Sequence, residues 1–72
     1  MKVDLHGKHH HEVSRIIDRF IWDGMRLNKK EIEVVTGNSN RMKEVVIDII
    51  EEHQLDYSIG NVINKGFITI YL

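Results

Sequence analysis

The chain contains no cysteine, no proline and no apolar run long enough to cross a bilayer. The missing cysteine excludes disulfides and thiolate metal sites and is compatible with a reducing compartment. The missing proline leaves no linker marked within the 72 residues, so 1–72 reads as a single domain. A spanning helix needs about 20 consecutive apolar residues, and Met1-Lys2-Val3 leads into a strand pattern with no signal-peptide apolar region. The expectation is a cytoplasmic protein without a membrane partner. A global basic field is also missing: the net charge is −1 with histidine neutral. Polyanion binding by the whole surface is thereby excluded.

What charge there is lies unevenly. Residues 1–30 hold seven Lys/Arg against four acids, and residues 31–72 hold three against seven. Four of the five histidines fall within residues 6–11 and would add positive charge there below about pH 6.5. Any polyanion contact should therefore be local and sensitive to salt.

Two patterns alternate along the chain. Residues 2–5 read as a short strand, with Val3 and Leu5 on one face and Lys2, Asp4 and His6 on the other. If that strand persists through residue 6, Asp4 and His6 share a face. From His10 to Asp23, Val13, Ile16, Ile17, Phe20, Ile21 and Gly24 fall on one helical stripe, and Gly24 suits the helix C-terminus. Trp22 lies off the centre of the stripe. Glu31 to Val35 reads as a second strand. Asn40 to His53 reads as a second helix, with Met42, Val45, Val46, Ile49 and Ile50 inward. Asp56 to Val62 and Phe67 to Leu72 complete a hairpin around Asn64-Lys65-Gly66.

The order is β-α-β-α-β-β. Right-handed crossovers put both helices on one face of the sheet, which predicts a two-layer α/β sandwich. The helices should cover Val3, Leu5, Ile32, Val34, Ile68 and Ile70. The open face should show Asp4, Glu33, Val35, Phe67, Thr69 and Tyr71. The first two strands should run parallel, with their carboxyl ends at one edge, where ligands of open α/β sheets bind. Two strand-to-helix corners meet there: Asp4-Leu5-His6-Gly7 and Thr36-Gly37-Asn38-Ser39.

Each corner carries chemistry and a plainer alternative. An imidazole held by a carboxylate can act as general acid or base near neutrality; Asp4 and His6 can equally be surface polarity with Gly7 in a tight turn. At the second corner Asn38, Ser39 or Asn40 can cap the helix. The free amides there, with Arg41 and Lys43 in the first turn, would hold a phosphate. Those cations otherwise oppose the helix dipole, and the alternative is a plain cap with two solvated cations. His6, His9, His10 and His11 invite a metal site, which needs three or four convergent ligands, or form a solvated polar cap.

Asp4-Leu5-His6-Gly7, Glu12 five residues beyond it, and Val34-Val35-Thr36-Gly37 resemble the Smr (small MutS-related) domain family. The element order agrees, and the resemblance covers essentially the whole chain. It implies a four-stranded mixed sheet in the order 1-2-4-3 with the last strand antiparallel. It also implies binding to DNA or RNA and, in several members, endonuclease activity. By position it assigns chemistry to Asp4 and His6. It gives phosphate contact to Thr36, Gly37, Asn38 and Ser39; the capping argument extends this to Asn40, Arg41 and Lys43, and Gly7 in the first corner is counted with them. The second corner departs from the family's H-G-x-G-x-G loop in keeping one glycine, with Asn38, Ser39 and Asn40 standing where further glycines are usual.

The expectation is thus a nucleic-acid-binding domain and candidate endonuclease. A divalent ion such as magnesium is a candidate cofactor through Asp4. The alternative is a non-catalytic interaction or homodimerisation module that uses Val35, Phe67 and Tyr71 on the open sheet face, or Trp22.

Overall fold

The computed structural model describes residues 1–72. The elements are β1 (Lys2–Asp4), α1 (His10–Arg26), β2 (Glu31–Val35), α2 (Asn40–Glu52), β3 (Asp56–Ile59) and β4 (Phe67–Tyr71). They form one sheet in the order β1-β2-β4-β3, with β1 and β2 parallel and the other two pairings antiparallel. The expected topology, sheet order and two-layer architecture are all present.

Strand alternation sets the two faces. Val3 pairs with Val34, Ile32 with Ile70, and Val34 with Ile68, so these side chains line one side of the sheet. Val13, Ile17 and Ile21 of α1 and Met42, Val46, Ile49 and Ile50 of α2 close over that side. The core comprises twelve buried apolar residues drawn from both helices and the sheet, including Leu5. Burying one such Val, Leu or Ile side chain stabilises the fold by about 1.5–3 kcal/mol relative to leaving it exposed. A hydrogen bond from His53 Nε2 to Asp18 Oδ1 (2.8 Å) ties the end of α2 to α1.

Several boundaries move from their expected places. β1 ends at Asp4, so His6 lies in a turn and the shared-face argument for Asp4 and His6 does not apply. Leu5 still donates its amide to the Val35 carbonyl (2.8 Å) and is fully buried.

Gly24 does not end α1, which continues to Arg26. Its role is close packing: an added Cβ would stand 2.7 Å from Leu72 Cδ1 and 3.0 Å from Ile32 Cγ2. The helix stops instead at Asn28 (φ 57°), where the amides of Asn28 and Lys29 bond back to the Met25 and Gly24 carbonyls. That is a Schellman ending with asparagine in the left-handed position. α2 ends the same way at Gln54 (φ 58°), with Leu55 bonded to the Ile50 carbonyl.

The third strand stops at Ile59 rather than Val62, because the chain turns at Gly60 and leaves the sheet. Trp22 is 69% exposed and takes no part in the core. Neither helix is long and apolar enough to cross a membrane.

Candidate nucleic-acid interface

Three loops gather at the edge where β1 and β2 end. Because β4 runs antiparallel to β2, with Val35 opposite Phe67, the β3–β4 loop begins and ends at that same edge. Residues 5–9, 36–39 and 60–66 are therefore neighbours. The first two were expected to meet; the third was not.

The first corner is a tight turn held by its own carboxylate. Asp4 Oδ1 accepts from the His6 amide at 2.8 Å, and the Lys8 amide bonds to the Leu5 carbonyl at 2.9 Å. Gly7 occupies the third turn position with φ +81°, the geometry a type II turn reserves for glycine. Asp4 thus acts on the backbone of His6, and no bond joins its carboxylate to the imidazole. Glu12 has a similarly local role: its Oε2 accepts from the His9 amide at 3.2 Å and caps the start of α1.

The second corner is anchored from the third loop. The Thr36 and Gly37 amides both donate to the Gly66 carbonyl at 2.9 Å. Thr36 is the one buried polar residue, and its hydroxyl lies 3.3 Å from the Gly66 carbonyl and 3.1 Å from that of Gly37. Thr36 and Gly37 were expected to contact phosphate, but their amides are already satisfied within the chain. Ser39 is the cap of α2, its Oγ accepting from the Met42 amide at 3.0 Å. The amides of Asn38, Asn40 and Arg41 have no acceptor in the chain and remain available at the helix N-terminus.

The corners touch through His6 and Gly37. A Cβ on residue 37 would stand 3.2 Å from His6 Cδ2 and 3.8 Å from Cγ, so the ring lies against the glycine. Gly37 also has φ +67°. The backbone at position 37 therefore disfavours a side chain, and His6 would have to move to admit one. An exposed imidazole and the available α2 amides share one place.

Charge supports that edge over the open sheet face. Lys8, Lys43 and Lys65 make no ion pair, whereas Arg41 is paired with Glu44 at 3.6 Å on the surface. The open face, by the pairing register, carries Asp4, Glu31, Glu33 and Asp56 against Lys2 alone. A polyanion would be repelled there, and two copies meeting through that face would bring carboxylates together. Val35 and Phe67 on it are half-buried, and the Tyr71 hydroxyl is bonded to Ser58 Oγ at 2.9 Å.

The histidine run does not converge. The His9 and His11 rings stack with centroids 5.5 Å apart, and no three or more His, Asp or Glu side chains group as a set that could hold a metal ion. Asp4, the carboxylate considered for a divalent ion, has one oxygen engaged by the His6 amide.

The Smr domain family model matches residues 3–64, and the chain belongs to that family. Its fold is similar to the crystal structure of the Smr domain of Thermus thermophilus MutS2, with a TM-score of 0.89. That superposition covers 99% of this chain and 95% of the other at 13% identity, a level at which the likeness speaks for the fold alone. None of the curated proteins compared with the chain matches it.

Loop 60–66 was missed as part of the site because Asn64-Lys65-Gly66 reads as an ordinary hairpin turn. Its signal was an asparagine at each end of Val62-Ile63 with glycines outside them. That composition suits a loop stabilised by its own side chains.

Proposed function

We propose that this domain binds the phosphate backbone of DNA or RNA across the edge formed by residues 5–9, 36–43 and 60–66. The observation that carries the reading is the contact of His6 with Gly37, which joins the imidazole to the α2 N-terminus. A phosphate would take the Asn38, Asn40 and Arg41 amides and the Ser39 hydroxyl, with Lys43 and Arg41 supplying charge. Lys8 and Lys65 extend the contact to flanking phosphates. Membership of the Smr family supports a nucleic-acid partner.

In the endonuclease reading, His6 is the acid–base group. On RNA it would take the proton of a ribose 2′-hydroxyl as that oxygen bonds to phosphorus, and the 5′ oxygen would leave with a proton from water, giving a 2′,3′-cyclic phosphate. Asp4 is then a positioning residue that holds His6 through its amide. No three or more His, Asp or Glu side chains group to hold a metal ion, and no step is routed through one.

The test is a titration with labelled single-stranded and duplex DNA and RNA, following backbone amide shifts. Perturbations confined to residues 5–9, 36–43 and 60–66 are expected. Shifts centred on the open sheet face, or on Trp22, would overturn the reading in favour of a protein-docking module. For cleavage, His6→Ala should abolish product formation while leaving binding within about twofold, since one rim contact contributes little to affinity; undiminished cleavage would remove His6 from the chemistry.

A further inference from the structure

The loop between β3 and β4 carries the two most exposed large apolar side chains in the molecule, Val62 at 94% and Ile63 at 95%. The loop is braced by its own side chains. Asn61 Oδ1 accepts from the Ile63 and Asn64 amides at 2.9 and 2.6 Å, and the Asn61 amide donates to the Asn64 carbonyl at 2.8 Å. Asn64 Oδ1 accepts from the Gly66 amide at 2.8 Å. An apolar pair is thus presented on a structured tip. Both residues are β-branched, so they lose little rotamer freedom when they are enclosed.

What covers the tip follows from its attachment and its charge. Its base is the Gly66 carbonyl, which takes the amides of Thr36 and Gly37 and so ties the loop to the second corner. Residues 60–66 include Lys65 and no acid. A polyanion lying along the edge would meet this loop with favourable charge. Trp22, Met25 and Leu27, also exposed, lie at the far end of α1, at the opposite edge of the sheet.

We propose that Val62 and Ile63 form an unstacking wedge that inserts between adjacent bases of a nucleic acid held at the phosphate edge. This rests on the phosphate-binding reading and adds to it the class of substrate. Aliphatic wedges separate base steps in proteins that kink nucleic acids, at the expense of stacking energy. That penalty is least where a base is unpaired or a step is already flexible. The preferred substrate is therefore a duplex interrupted by a bulged or unpaired nucleotide, and continuous duplex is the weaker ligand.

The experiment uses DNA and RNA duplexes with 2-aminopurine beside a one-nucleotide bulge, and matched continuous duplexes. The proteins are the full chain, Val62→Ser/Ile63→Ser, Val62→Leu/Ile63→Leu and Lys43→Ala. The wild-type chain should raise 2-aminopurine fluorescence and favour the bulged duplex by about tenfold, the scale of one unstacked step. The serine pair should lose both effects yet keep continuous-duplex affinity within about twofold, because phosphate contacts dominate it. The leucine pair should restore them. Lys43→Ala should weaken both duplexes alike.

Thermal unfolding of the serine pair close to wild type would show that the loss is not one of fold. Binding without a fluorescence rise, or an unchanged serine pair, would overturn the wedge and leave phosphate binding standing. No binding to any duplex would overturn both. A serine pair that instead converts a dimer to a monomer in sedimentation would assign the tip to contact between two copies and overturn the wedge.

Discussion

An alanine at position 37 should perturb this protein twice, through its backbone and through His6. Gly37 sits at φ +67°, a conformation that penalises an L-residue by about 1–2 kcal/mol. The new Cβ would also stand 3.2 Å from His6 Cδ2. Gly7 isolates the first effect: it has φ +81°, and a Cβ there meets nothing within 4 Å. Both Gly7→Ala and Gly37→Ala should therefore lose about 1–2 kcal/mol of unfolding free energy. In a domain of this size, each kcal/mol lowers the Tm by about 4–8 °C.

His6 is exposed, so its ring can swing clear of the added methyl group. The contact should add no more than about 0.5 kcal/mol, near the lower end of coupling between touching residues. Its larger effect is positional, since the imidazole leaves the α2 N-terminus. Urea unfolding followed by circular dichroism measures the first effect. A nuclear Overhauser contact between the His6 ring and the Hα of residue 37 measures the second, and it should persist in Gly7→Ala and weaken in Gly37→Ala. The reasoning fails if wild-type protein lacks that contact. It also fails if Gly37→Ala costs less than about 0.3 kcal/mol, within which unrelated changes simply add.

Other positions give independent checks. Gln54→Gly should raise stability by about 0.5–1 kcal/mol in urea unfolding, because relief of the left-handed strain exceeds the added chain entropy. Gly24→Ala should lower it by about 1 kcal/mol: overpacking against Leu72 and Ile32 outweighs the gain in helix propensity. Measured against Leu72→Ala alone, the cost of Gly24→Ala should shrink, because the closest contact has been removed. Ser39→Ala removes the acceptor for the Met42 amide and should lose about 1 kcal/mol by the same assay. Lys43→Ala should reduce the slope of log affinity against log salt by about 0.9 for duplex DNA, one phosphate contact's share; an unchanged slope would remove Lys43 from the interface.

Much of the fold was legible because its signals are local. Val13, Ile17 and Ile21 repeat at helical spacing, as do Met42, Val46, Ile49 and Ile50. Ile32/Val34 and Ile68/Ile70 alternate as strands do, and each run has one way to bury its apolar side. Element ends were less legible. Gly24 resembles a helix stop, but its missing side chain makes room for Ile32 and Leu72, residues distant in sequence. The actual stop at Asn28 uses a residue whose left-handed conformation only the observed φ reveals.

The two corners could be found from their residues; what each side chain does there could not. Asp4 next to His6 suggests a carboxylate–imidazole pair, and the turn geometry gives the carboxylate to the His6 amide instead. Thr36 and Gly37 suggest phosphate contact, and Gly66, some thirty residues away, takes their amides.

The sequence by itself determined the sandwich, because periodicity and right-handed crossovers leave few ways to bury two amphipathic helices on one sheet. The tertiary structure alone decided how the edge is built. Choosing one hydrogen-bond partner among several, resting an imidazole on Gly37 and fastening loop 60–66 to the second corner all depend on contacts between segments far apart in the chain. Composition and spacing carry no record of such contacts.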